Sequence, residues 1–143
     1  MLGIIYSIAA GVCMSLQGVF NTRLGDKIGQ WETNLFVQGT GLAVTMIVLF
    51  FTARGNFKNL KDSNLIYMLG GILGVVIIFT VMKGIKLLGT THAISVILIA
   101  QLASAAAIDL FGFFDTTKVP FHVSKIIGIC IMIFGIVIFK WKG

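Results

Sequence analysis

From Thr91 to Asp115 the chain reads THAISVILIAQLASAAAIDLFGFFD, an apolar run long enough to cross a bilayer and interrupted by two polar side chains, Gln101 and Asp109. An Asp near the centre of a membrane helix costs roughly 2.5–3.5 kcal/mol, and such groups usually face a protein interior or a water-filled cavity. The stretch therefore points to a membrane protein and marks a first candidate site. Composition agrees. Hydrophobic residues make up 57% of the chain and charged residues 11%, where a soluble globule carries about a quarter charged residues. A net charge of +6 does not indicate nucleic acid, because the Lys and Arg residues sit between apolar runs, where they read as membrane-edge anchors. Cys13 and Cys130 fall inside apolar segments with no Cys or His at ligand spacing, so buried, inert thiols are expected, with no metal site and no cofactor.

The runs predict an all-α membrane protein in one five-helix transmembrane domain over residues 1–143, with helices at about 2–22, 33–53, 63–82, 91–114 and 121–141. The first run is read as a membrane helix and not as a signal peptide, since it lacks a basic start and is followed by more membrane segments. Ser7, Gly11, Ser15, Gly18, Thr22 and Gly25 form a stripe of small residues that lets helices approach closely. Cys13, Gln17 and Asn21 form a polar stripe, which fits interhelical hydrogen bonding and cavity lining equally well. Helix two carries Asn34, Gln38, Gly41 and Thr45 along one face, with Trp31 at the interface and Glu32 suited to its N-terminus.

The polar stretch RGNFKNLKDSN connects to helix three, with Asp62 or Ser63 as a plausible N-cap. Gly70 and Gly74 have the G-x-x-x-G spacing, and Gly128 and Gly135 mark a packing face on helix five. Pro120 suits the connector before that last helix, which reaches full length only if Lys125 snorkels. His92 and His122 read as interfacial residues at helix starts.

With five spans, one side of the membrane receives Arg54, Lys58, Lys61, Lys118 and Lys125, and the other Arg23, Lys27, Lys83, Lys86, Lys140 and Lys142. Five against six gives no orientation under the positive-inside rule. Insertion in both directions would let two copies build the inverted repeat that many transporters carry within one chain. A single weakly biased topology, or half of a heterodimer, remains the alternative.

The segments LQGVFNTRLG, GGILGVV and above all IAQLASAAAIDLFGFF, followed by a Pro-containing loop and a Gly-rich last helix, resemble the YdcZ-type small five-helix inner-membrane exporters of the drug/metabolite transporter superfamily. The resemblance covers nearly the whole chain, and its most specific element is Gln101-Leu102 with Asp109 following. It implies a multi-pass protein of the bacterial inner membrane that moves a small-molecule solute. It also implies a half-transporter working as a dual-topology antiparallel homodimer, or with an opposite-topology homologue. The four-helix small multidrug exporters carry a glutamate on helix one. Here that helix offers only Gln17 and Asn21, which argues against carrying over their cation/proton exchange.

The expected function is therefore solute export by alternating access. Gln17, Asn21, Asn34, Gln38 and Gln101 are the candidate solute contacts, and Asp109 is the candidate coupling residue, with a proton as its ion. Gln101 precedes Asp109 by eight residues, about 80° around the helix, so both can border one cavity. Asp109 can equally reach interfacial water or pair with a basic residue at the membrane edge. A small dual-topology ion channel and an accessory membrane subunit are the competing readings. An enzyme is not expected, since no nucleophile-base pair, metal cluster or phosphate-cradling loop appears.

Overall fold

A computed structural model describes residues 1–120 and 122–141. Among the described residues there are five α-helices and no strand: α1 Leu2–Ile28, α2 Gln30–Thr52, α3 Gly70–Leu88, α4 Thr90–Phe111 and α5 Val123–Lys140. Among the described residues four segments are long and apolar enough to cross a membrane, namely Leu2–Ile28, Gln30–Thr52, Leu65–Leu88 and Thr90–Phe111. The apolar part of α5, Val123–Phe139, is shorter. The expected start of helix five at Phe121 lies outside the described residues, as does Lys142. The chain divides into two compact units, Met1–Leu87 with α1 to α3 and Leu88–Gly143 with α4 and α5.

The connections are shorter than the charge pattern suggests. Arg23, Asp26 and Lys27 continue α1 as helix, and Gly29 alone separates it from α2. At φ 101° and ψ 154°, Gly29 holds a backbone conformation open almost only to glycine, and the Glu32 carboxylate occupies the space a β-carbon would take. Glu32 thus sits at the start of α2 without a side-chain capping bond. The backbone stays bonded across the turn: Gly29 N–H donates to Gly25 O, and Gly29 O accepts from both the amide and the hydroxyl of Thr33. Gly89, at φ 79°, makes the same kind of break between α3 and α4, so Lys83 and Lys86 lie on the last turns of α3 and not in a loop.

Gly29→Ala should therefore lower stability by about 1–3 kcal/mol, from backbone strain and displacement of Glu32. Gly3→Ala, with open space around it and an ordinary helical backbone, should change little. Thermal unfolding in detergent checks the difference.

The entry to α3 differs from expectation. Neither Asp62 nor Ser63 caps it; Asn64 accepts from Ile66 N–H at 3.1 Å and opens a 3-10 helix, Leu65–Leu69, that runs into α3. Asparagine competes well for this position because its side-chain oxygen reaches the free amides at a helix start.

In the first unit, α1 packs on α2, and α3 meets them through side chains. Met82 is fully buried, and its sulfur would stand 3.5 Å from a β-carbon at Gly25. Trp31 stacks on Phe79 with ring centroids 4.6 Å apart, Lys83 lies over the same Phe79 ring, and Lys86 pairs with Asp26. These groups lie where α1 ends, α2 begins and α3 ends, an aromatic and charged edge suited to a membrane interface. In the second unit α4 packs on α5, and the connector folds back on α4, with Val119 N–H donating to Asp109 O at 3.0 Å.

Candidate functional site

The first unit buries two of the candidate amides, one on either side of the α1–α2 turn. Asn34 lies five residues after Gly29 and Asn21 eight before it, and both are buried, at 2% and 6% exposure. Asn34 Nδ2 donates to the backbone carbonyl of Val75 on α3 at 2.8 Å. Its Oδ1 is buried and has no hydrogen-bond partner. An orphaned acceptor of this kind costs about 1–3 kcal/mol, and any N–H or O–H donor that reached it would recover that cost.

Gln38 lies one turn further along α2 and is half-buried. Its Nε2 stands 3.2 Å from where a β-carbon at Gly74 would be, so the glycine makes room for the amide. Gln17, one turn before Asn21, is exposed. The sequence placed these residues on helix faces; the Val75 carbonyl as partner carries no sequence signal, because every helical residue has one.

Of the small residues on α1, Gly18 is buried, and a β-carbon there would stand 2.9 Å from Ile85 Cδ1 and 3.2 Å from Val81 Cγ1. Ser15 is half-buried and returns its hydroxyl to Gly11 O. Gly11, Gly70, Gly128 and Gly135 face open space within the single chain. Cys13 and Cys130 are exposed, which corrects the expectation of buried thiols: both lie in apolar stretches of sequence, but neither side chain is covered by its own unit.

In the second unit, Gln101 is exposed on α4. Asp109, third from the end of α4, is half-buried and accepts from Lys125 Nζ at 3.5 Å. Lys125 is the third residue of α5, so antiparallel packing brings the two charges to the same end of the pair. A cavity of about 410 Å³ continues from this ion pair between the helices, lined by Leu102, Ala106, Gly128 and Met132 besides the two charges. The sequence contained both charges but assigned Lys125 only to the membrane edge. Their equal distance from the two helix ends was the available clue. A second cavity, of about 400 Å³, lies at the start of α4 beside Thr91, His92 and Ser95. Among the described residues no three His, Cys, Asp or Glu side chains come together in a way that could hold a metal.

Residues 2–138 match the family model described as "Putative inner membrane exporter, YdcZ". No curated protein and no solved structure matches the chain.

Proposed function

The chain belongs to the YdcZ inner membrane exporter family, and from that premise we propose that it exports a small solute by alternating access, as a dual-topology antiparallel homodimer of five-span subunits. The observation that carries this reading is that each unit leaves an amide exposed on a bilayer-length helix. Among the described residues the buried apolar side chains are Met82, Ile85, Ala93 and Ala106, while Gln17 and Gln101 lie exposed on bilayer-length helices. Amides facing lipid are costly, so a partner must cover them or enclose them in a cavity. A second copy inserted the other way supplies that cover, and the balanced charges at the two membrane sides permit it. Of the glycines that face open space, Gly11, Gly70 and Gly135 offer it close-approach surfaces.

Within this assembly Gln17, Asn21, Asn34, Gln38 and Gln101 contact the solute. The orphaned Asn34 oxygen is the most strongly motivated of these contacts, since it lacks the donor that a bound solute would bring. Asp109 couples transport to protons, with Lys125 as its counter-ion in the unprotonated state.

Purified protein in lipid vesicles, screened against a panel of solutes, tests the reading. Saturable, solute-specific flux is expected; ion conductance at channel rates, or no flux at all, would contradict it. For a transported solute, Asp109→Asn should preserve assembly and remove the pH dependence of flux. Gln101→Ala should weaken solute binding at every pH. If the pH dependence survives in Asp109→Asn, the aspartate serves structure only.

A further inference from the structure

The cavity between α4 and α5 has a chemistry that the amide face of the first unit lacks. Its two charges sit together at one end. From there, seven residues back along α4 to Leu102 and seven forward along α5 to Met132, the lining runs about 10 Å through apolar side chains. Gly128 adds width, since nothing lies within 4 Å of where its β-carbon would be. The pair itself is loose: 3.5 Å separates Lys125 Nζ from Asp109 Oδ2, and the side chains are 31% and 45% exposed. The volume of about 410 Å³ is in the range of small-molecule pockets and leaves room for a body of one or two rings.

We propose that this cavity binds an amphipathic organic anion, its apolar body lying along Leu102, Ala106 and Met132 and its acid group taking the place of the Asp109 carboxylate at Lys125. The proposal rests on the exporter reading only for the coupling role of Asp109, and it adds to the amide contacts a separate site whose ligand class it names. Asp109 and the incoming anion compete for one ammonium. While Asp109 is ionised it holds Lys125 and repels a second anion; once protonated it releases Lys125 and the repulsion ends. Proton and solute therefore enter together, and the occupied site carries the same net charge as the empty one. The charged or titratable groups on the connector between α4 and α5 are Asp115, Lys118 and His122, and none of the three lines the cavity. An organic cation is disfavoured, because protonation of Asp109 leaves only a positive group to meet it.

Equilibrium binding to the purified full chain in lipid nanodiscs separates these cases. Naphthalenesulfonate is a suitable probe, since it remains an anion throughout the working pH range and any pH dependence must come from the protein. Naphthylmethylammonium and naphthol are the cationic and neutral controls. The anion should bind most tightly, and more tightly as pH falls. Lys125→Gln should weaken it by about tenfold or more. Asp109→Asn should tighten it by about tenfold at neutral pH and remove the pH dependence, a gain that a merely damaged protein would not show.

Laurate as a competitor tells a membrane-derived fatty acid from a water-soluble acid, both of which belong to the proposed class. Preference for the cation, or unchanged anion affinity in both variants, would overturn the proposal. Anion binding without flux of any solute in vesicles would instead contradict the exporter reading and leave this site standing.

Discussion

Replacing Gly18 with leucine is expected to separate α1 from α3 and to lower stability by about 1–3 kcal/mol or more, with a shifted or broadened elution in detergent. The first added carbon would stand 2.9 Å from Ile85 Cδ1, the far end of a flexible side chain that can move, so Gly18→Ala should cost little. Leucine adds three further carbons toward Val81, whose Cγ1 already stands 3.2 Å from the β-carbon position and whose branched side chain has few alternative rotamers. Met82 and Ile85, three residues apart on α3, are both buried, so the Ile85 tip can shift for one methyl group but not for a whole leucine side chain. Leu42→Ile, at an exposed position on α2, serves as the control and should behave as wild type. Unchanged unfolding and elution of Gly18→Leu would show that α1 does not depend on this contact.

The second large effect concerns orientation. Adding lysines at Gly55, Asn59 and Ser63, all exposed in the segment between α2 and α3, raises that side from five basic residues to eight against six. Positive charge near span ends is retained in the cytoplasm, so the altered chain should insert in a single orientation. None of the three side chains caps a helix start, and folding of each chain should survive. If the working unit is an antiparallel pair, flux should be lost almost entirely. Co-expression with a chain locked the opposite way should restore it. Full activity from the locked chain alone would rule out the antiparallel pair.

The helical class and the bilayer-length runs were legible because backbone groups in a membrane must be satisfied within the segment, and apolar length is then a direct signal. Turns were less legible. Arg23, Asp26 and Lys27 look like a loop by charge, yet a helix extends readily into the headgroup zone, and only the positive φ at Gly29 marks the break. Periodicity placed Asn34 and Gln38 on one face of α2 but could not name Val75 O or Gly74 as what they meet, since those contacts arise from packing between elements. Asp109 stood out as a charge in an apolar run. Lys125 did not, because a lysine in the first turn of a membrane helix is ordinary until an aspartate on the neighbouring helix faces it. The cysteines misled because apolar surroundings in sequence mean burial in a soluble core, whereas on a membrane helix they can equally mean a face turned to lipid or to a partner.

The antiparallel homodimer is tested most directly by the orientation of the unaltered chain. Two reporters fused in turn to the C-terminus, one active only in the cytoplasm and one only outside it, measure the two populations. Comparable activity from both is expected for a chain with five basic residues against six. Activity from one reporter alone would fix a single orientation and contradict the antiparallel homodimer.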